Sequence, residues 1–163
     1  MVGVSNSSAN YSNKPSVLFV MRSGILRRTL PIAMVKKPFT VNQDLRAVAP
    51  DQIDLDYLFW ACESNEKSIL NTCMKSGTTV ESINSAALMD YTVPIAPKEE
   101  QGVIVIAIVD LLQKEKQAKE AAEQVIDQID VIKKTILARA FRGELGTNDP
   151  ADESAEELLK RIL

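Results

Sequence analysis

Histidine is absent from this chain of 163 residues, and its absence limits the chemistry available to the protein. Without an imidazole, the chain lacks the commonest general base, the base of a Ser-His pair and the most frequent protein ligand of transition metals. The sequence also contains no P-loop, no Gly-rich dinucleotide turn and no CxxC pair. We therefore predict a protein that catalyses no reaction by itself and requires no metal and no cofactor.

Long apolar runs are also missing, and cysteine is scarce. No stretch reaches the ~18 consecutive apolar residues of a membrane-spanning helix, so we expect no membrane association. The opening residues, MVGVSNSSANYSN, lack the basic and apolar regions of a secretory signal. The two cysteines, Cys62 and Cys73, fall in a region with a helical pattern. We interpret them as buried thiols of a cytoplasmic protein.

Basic residues are concentrated in the first third of the chain. The whole chain has a net charge of −3. Residues 1–50, however, contain seven basic residues and one acidic residue, whereas residues 51–97 and 98–163 are both net acidic. Such a local excess of positive charge attracts anionic partners even when the total charge is negative.

Apolar runs in the first 97 residues predict a small mixed sheet. The runs are rich in β-branched and aromatic residues, and the first ends at the turn signal Arg22-Ser23-Gly24. The first four runs predict three or four strands, and two later runs predict one strand each. The predicted strands lie at residues 16–21, 30–35, 39–43, 45–50, 78–83 and 91–96.

Helical patterns lie between these runs. Residues 54–64 form the first, with Asp54 as a candidate N-cap, and residues 67–75 form the second, with Gly77 suited to a left-handed cap. A single helical turn is expected to begin at Asn84 or Ser85. The predicted fold class is α+β, with residues 1–97 forming a small mixed α/β globule.

A long helix is predicted after the globule, over residues 98–142. It begins after Pro97, followed by two acidic residues, and contains no Gly or Pro from Val103 to Arg142. Such a helix would be about 67 Å long at 1.5 Å per residue. A compact chain of this size is only about 40 Å across. Residues 143–163 are predicted to form a tail whose short helix begins with a capping box, Ser154 and Glu157.

A heptad pattern predicts that the long helix pairs with another helix. With Ile108 as an a position, eight of the ten a and d positions are apolar, and charged residues lie between them. The alternative, packing against its own globule, would leave half of this stripe in water. The apolar positions, called the stripe below, are Ile108, Leu111, Ala118, Ala122, Val125, Ile129, Ile132 and Ile136.

Three groups of polar residues in the globule are suited to DNA. Arginine and lysine bind phosphate oxygens, arginine also binds guanine edges, and asparagine and glutamine suit adenine. Each group also has an ordinary structural interpretation. The arginines would be solvated surface residues, Asn42 and Gln43 would stabilise a turn, and the segment from Lys75 to Thr79 would be a helix cap followed by the start of a strand. The candidate contacts are Arg22, Ser23, Arg27, Arg28, Asn42, Gln43, Lys75, Thr78 and Thr79.

Four short motifs, VNQDLRAV, SGTTVESI, VPIAPKEEQ and ILARAFRGEL, occur in this order. Together they resemble the specificity subunits of type I restriction–modification systems, from about Ser16 to the C-terminus. The resemblance implies a non-catalytic subunit whose recognition domain reads half of an interrupted double-stranded DNA target. It also implies that methyltransferase subunits dock around the long helix, and that a restriction/translocase subunit joins them. Residues 1–97 would then be a partial target-recognition domain and residues 98–142 a spacer helix.

The sequence departs from the full pattern of that family, which has two recognition domains and two helices. Here we find one of each, and the globule looks short. We therefore expect a half-subunit that forms an antiparallel homodimer through residues 104–140, or the C-terminal piece of a split subunit. The alternative is a truncated coiled-coil adaptor without its own DNA recognition. Neither the target sequence nor the spacer length can be read from these residues.

Overall fold

The computed structural model describes residues 10–75, 80–146 and 153–163. Two compact units are present, Met1–Val109 and Asp110–Leu163. A small sheet region followed by one long helix confirms the predicted fold class. In chain order the elements are β1 (Asn10–Ser12), β2 (Ser16–Val20), a 3-10 helix (Gly24–Arg27), β3 (Ile32–Val35), β4 (Phe39–Val41), β5 (Leu45–Val48), α1 (Leu55–Ser64), α2 (Glu66–Cys73), α3 (Ser85–Asp90), α4 (Lys98–Phe141) and α5 (Ala155–Ile162).

The strands form two small sheets in the first unit. In one, β2 lies between β3 and β5, and in the other β1 pairs with β4. Every strand pairing among the described residues is antiparallel, so the prediction of a mixed sheet was wrong. The β2–β3 pair has a local reason, because the 11 residues between these strands are fewer than the crossover of about a dozen or more that parallel neighbours need.

The core of the first unit lies between β2 and the helices α1 and α2. Alternate residues of β2, Val17 and Phe19, are buried, as expected for a strand with one face against helices. Both cysteines are buried and free, as predicted. The buried apolar residues around them are Met21, Leu26, Leu30, Leu58, Ile69, Leu70, Ile83 and Leu88.

Side-chain caps begin α1, α3 and α5, as the sequence predicted. Asp54 Oδ1 accepts a hydrogen bond from the Tyr57 amide (2.9 Å) and begins α1. Asn84 caps α3 through its Oδ1, which accepts from Ala86 N at 3.0 Å. Ser154 Oγ accepts from Glu157 N (3.2 Å), which confirms Ser154 as the N-cap of the predicted capping box. Each cap satisfies amide groups that the first helical turn leaves without partners.

The predicted strand at residues 91–96 was wrong, because this segment has no strand structure. Pro94 has no amide proton to contribute to a strand ladder. A side chain satisfies the backbone instead: the Tyr57 hydroxyl donates to Pro94 O (3.1 Å) and accepts from Ala96 N (3.0 Å). In the described part of the predicted strand at 78–83, residues 80–83, Ser82 and Ile83 form isolated bridges. Thr78, Thr79 and the predicted cap Gly77 lie outside the described residues.

Helix α4 is continuous over 44 residues, as predicted. Pro97 O accepts from Glu100 N (2.9 Å) at its start, and Gly143 follows its end with a φ of 73°, in the left-handed region that favours glycine. From Leu111 onward, every apolar residue of the stripe is exposed. No helix among the described residues is long and apolar enough to span a membrane.

Candidate nucleic-acid interface

An open cleft of about 490 Å³ lies in the first unit, beside the end of β2 and the start of β5. Four of the nine predicted DNA-contact residues line it, namely Arg22, Asn42, Gln43 and Lys75. These four come from three separate parts of the chain, so their convergence is a property of the fold. The other residues lining the cleft are Asn10, Met21, Leu45, Arg46, Val80, Ser82, Ile83 and Ser85.

Residues 80–83, called the central segment below, place Arg22 and Lys75 at the same cleft. On one side, Ser82 forms a bridge with Arg22, and Ile83 N donates to Met21 O at 2.8 Å. On the other side, Lys75 N donates to Ser82 O at 2.9 Å. Backbone hydrogen bonds therefore hold three chain segments side by side.

The turn between β4 and β5 forms another part of the lining. Asn42 Oδ1 accepts from Asp44 N (3.1 Å), which closes the turn. Asp44 O accepts from Met21 N (2.7 Å), which ties the turn to the end of β2. The side chain of Asn42 therefore stabilises this turn, as its ordinary interpretation expects, while Gln43 is exposed beside it.

Sequence reasoning missed Arg46, which lines the cleft from β5. Arg46 pairs with Phe19 in the register of β2 and β5 and is exposed, whereas Phe19 is buried. Directly paired residues of antiparallel strands project from the same face of the sheet, so Arg46 lies on the face of Phe19 and strand alternation does not predict its exposure. Only the tertiary arrangement places it beside Arg22 and Lys75.

The cleft is electropositive. Arg22, Arg46 and Lys75 are exposed, and none of them forms an ion pair within the described parts of the chain. No carboxylate occurs among the described residues of the lining. Three uncompensated cations in one concave surface raise the local concentration of anions, phosphate groups included. The exposed amide of Gln43 adds hydrogen-bonding capacity for a base edge.

The structure does not bring Ser23, Arg27 and Arg28 into the cleft lining. Ser23 caps the 3-10 helix, and its Oγ accepts from Ile25 N (3.4 Å). Arg28 is exposed at the other end of that helix. Arg27 donates from Nε to Glu81 Oε1 (2.5 Å). This hydrogen bond holds the pKa of Glu81 below its usual value, so the carboxylate is charged at neutral pH.

Carboxylate and thiol groups also occur elsewhere in the described part of the chain. Among the described residues, no group of three or more Cys, Asp or Glu side chains is placed to hold a metal ion. Burial, and to a smaller extent the nearby Glu63, raise the pKa of the Cys62 thiol to about 11. Because the thiolate is the nucleophile and the metal ligand, Cys62 is unreactive near neutral pH.

Comparison with known proteins gives two findings. A family model for the type I restriction modification DNA specificity domain matches residues 2–127. The type I restriction enzyme EcoR124I/EcoR124II specificity subunit of Escherichia coli is 37% identical to this chain over 103 residues. The match covers 63% of this chain and 26% of that subunit, so the chain spans about a quarter of its relative's length.

Proposed function

The chain belongs to the family of type I restriction modification DNA specificity domains, and on that premise we propose that its first unit binds one half of an interrupted double-stranded DNA target. The observation that carries this proposal is the cleft, where Arg22, Arg46 and Lys75 converge without a carboxylate. Catalysis, in this proposal, belongs to the other subunits of the complex.

The cleft residues divide by chemistry into two proposed roles. The cations Arg22, Arg46 and Lys75 bind phosphates, which positions the protein on the duplex but carries no sequence information. Gln43, which is exposed, has the amide geometry that pairs bidentately with adenine in the major groove. Asn42 already accepts a hydrogen bond from Asp44 N, so it holds the turn that presents Gln43.

The phosphate contacts are tested by removing the three cleft cations together. The variant R22A/R46A/K75A should bind a labelled pool of short duplexes of randomised sequence more weakly, as measured by fluorescence anisotropy. The slope of log affinity against log salt should become shallower by about 0.9 for each lost phosphate contact. Sequencing the duplexes that the wild-type protein retains identifies the half-site, and Q43A should relax the preference at one position of it.

A matched control removes three exposed lysines of the first unit that do not line the cleft, Lys14, Lys37 and Lys67. K14A/K37A/K67A loses the same charge as the cleft variant. It should therefore show only the smaller effect of overall charge. Equal losses for the two triple variants would mean that the cleft has no special role, and the proposal would be wrong.

The second part of the proposal concerns α4, whose stripe is exposed from Leu111 onward. We propose that it pairs with an antiparallel second copy and that methyltransferase subunits dock around the pair. An antiparallel register in which Ala118 faces Ala122 also places Ile108 opposite Ile132 and Leu111 opposite Ile129. The two alanines allow close approach at the centre, and larger apolar side chains are buried toward both ends.

A further inference from the structure

Arg27 is held by a carboxylate outside the cleft lining. Its Nε donates to Glu81 Oε1 at 2.5 Å. The Arg27 side chain is 68% exposed and that of Glu81 20% exposed, so the carboxylate is the more enclosed partner. The carboxylate engages Nε and offsets the charge of the guanidinium, so Arg27 attracts a phosphate less strongly than an unpaired arginine would. Arg27 thus differs from Arg22 and Arg46, which form no ion pair within the described residues.

Glu81 belongs to the central segment, and three other residues of that segment line the cleft. Its backbone carbonyl accepts from Ser23 N at 3.2 Å. Its neighbour Ser82 forms a bridge with Arg22 and accepts from Lys75 N at 2.9 Å. A displacement of Glu81 would therefore be transmitted directly to the backbone of two proposed phosphate-binding residues.

Arg27 lies on a rigid support. It is the last residue of the 3-10 helix, and the preceding Leu26 is fully buried in the core. Ser23 caps the start of the same helix. The Arg27–Glu81 pair consequently connects a helix anchored in the core to the central segment, in addition to the backbone hydrogen bonds of that segment.

We propose that Arg27 is a positioning residue that acts through Glu81 to fix the central segment, and so the placement of Arg22 and Lys75, without itself contacting DNA. This assigns Arg27 a role different from the phosphate contact that the sequence suggested. It rests on the proposed function of the cleft. The hydrogen bond from Arg27 lowers the pKa of Glu81, so the pair is present at neutral pH and is lost as the pH falls through that lowered pKa.

A double-mutant cycle on Arg27 and Glu81 tests the proposal. We expect R27A and E81A each to weaken binding of the randomised duplex pool about two- to fivefold, and R27A/E81A to be no weaker than either single variant. The slope of log affinity against log salt should stay at the wild-type value, because no phosphate contact is lost. The charge-swapped variant R27E/E81R should recover part of the affinity, because it restores the pair with reversed polarity.

A phosphate contact by Arg27 predicts a different pattern. E81A would then free the guanidinium and raise affinity, while R27A would lower affinity and make the salt slope shallower. Either that result or unchanged affinity in both single variants would overturn the positioning role. An exposed ion pair contributes little to folding stability, so all four variants should fold, which Trp60 fluorescence verifies.

Amide hydrogen exchange gives a second readout. The Ser23 and Lys75 amides, which donate to Glu81 O and Ser82 O, should exchange faster in R27A and in E81A than in the wild type. Unchanged exchange at both amides would contradict the inference. The cleft variant R22A/R46A/K75A distinguishes failure of the positioning role from failure of the proposed DNA-binding function. If this variant loses DNA affinity while the Arg27 and Glu81 variants do not, only the positioning role fails. If it behaves like the lysine control, the proposed function fails.

Discussion

Gln101 shows how one buried polar side chain connects the elements of the first unit. It is only 2% exposed, although it lies in the first turn of α4. Its Oε1 accepts from Asp54 N (2.8 Å), and its Nε2 donates to Ala96 O (2.9 Å). Gln101 therefore joins the N-cap residue of α1, the irregular segment at 91–96 and the start of α4.

We expect Q101A to lower the free energy of unfolding of the first unit by about 1–3 kcal/mol, because it removes two part-buried hydrogen bonds to the backbone, each contributing about 0.5–1.5 kcal/mol. Urea denaturation followed by the fluorescence of Trp60, the single tryptophan of the chain, measures the change. Q113A replaces an exposed glutamine of the same helix and should stay within about 0.5 kcal/mol of the wild type. A Q101A midpoint equal to that of Q113A would show that these hydrogen bonds contribute nothing.

At the scale of the element, the stripe of α4 is exposed from Leu111 onward within the described part of the second unit. Ile129 is 45% exposed and Ile132 55% exposed. Val131, between them in sequence but off the stripe, is 63% exposed. The exposed fraction alone therefore does not distinguish stripe residues from the other apolar residues of α4. The heptad register does distinguish them.

We expect wild-type protein to sediment as a dimer of the 18.0 kDa chain and I129D/I132D to sediment as a monomer. The reason is that pairing would bury two carboxylates per helix without partners. Sedimentation equilibrium at micromolar concentration measures both. The control Q124D/V131D adds the same charge at two positions off the stripe and should remain dimeric. A wild-type monomer would rule out the homodimer, although docking on another subunit would remain possible.

At the scale of the whole molecule, the proposal concerns assembly with other subunits. We expect the folded wild-type chain to co-purify with a type I methyltransferase subunit, because the exposed apolar surface of α4 gains burial in that complex. Co-expression with one tagged subunit, followed by size-exclusion chromatography, detects the complex. R22A/R46A/K75A is the control, since its substitutions lie outside α4 and should leave the complex intact.

The outcomes of that experiment distinguish the two hypotheses drawn from the sequence. No complex at micromolar concentration would contradict the docking proposal. A complex that forms while the cleft and lysine variants bind DNA equally would favour the alternative, an adaptor without its own DNA recognition. A complex whose DNA affinity depends on Arg22, Arg46 and Lys75 would support a specificity subunit.

The sequence by itself determined the features that depend on near neighbours. The caps Asp54, Asn84 and Ser154 each bond to amides two or three residues away, so their patterns were sufficient. Helix α4 followed from the helix start at Pro97 and the long run without Gly or Pro from Val103 to Arg142. The stripe followed from the heptad period, and family membership from four motifs in order.

Only the tertiary structure decided which side chains meet. Arg27 and Glu81 are 54 positions apart, and Tyr57 satisfies the backbone of Pro94 from 37 positions away. Those two contacts changed the role proposed for Arg27 and removed a predicted strand. The cleft likewise unites Arg22, Arg46 and Lys75 through the packing of the strands and the central segment. Local patterns specify which conformation each segment adopts, but contacts between distant segments depend on how their apolar faces pack in one core.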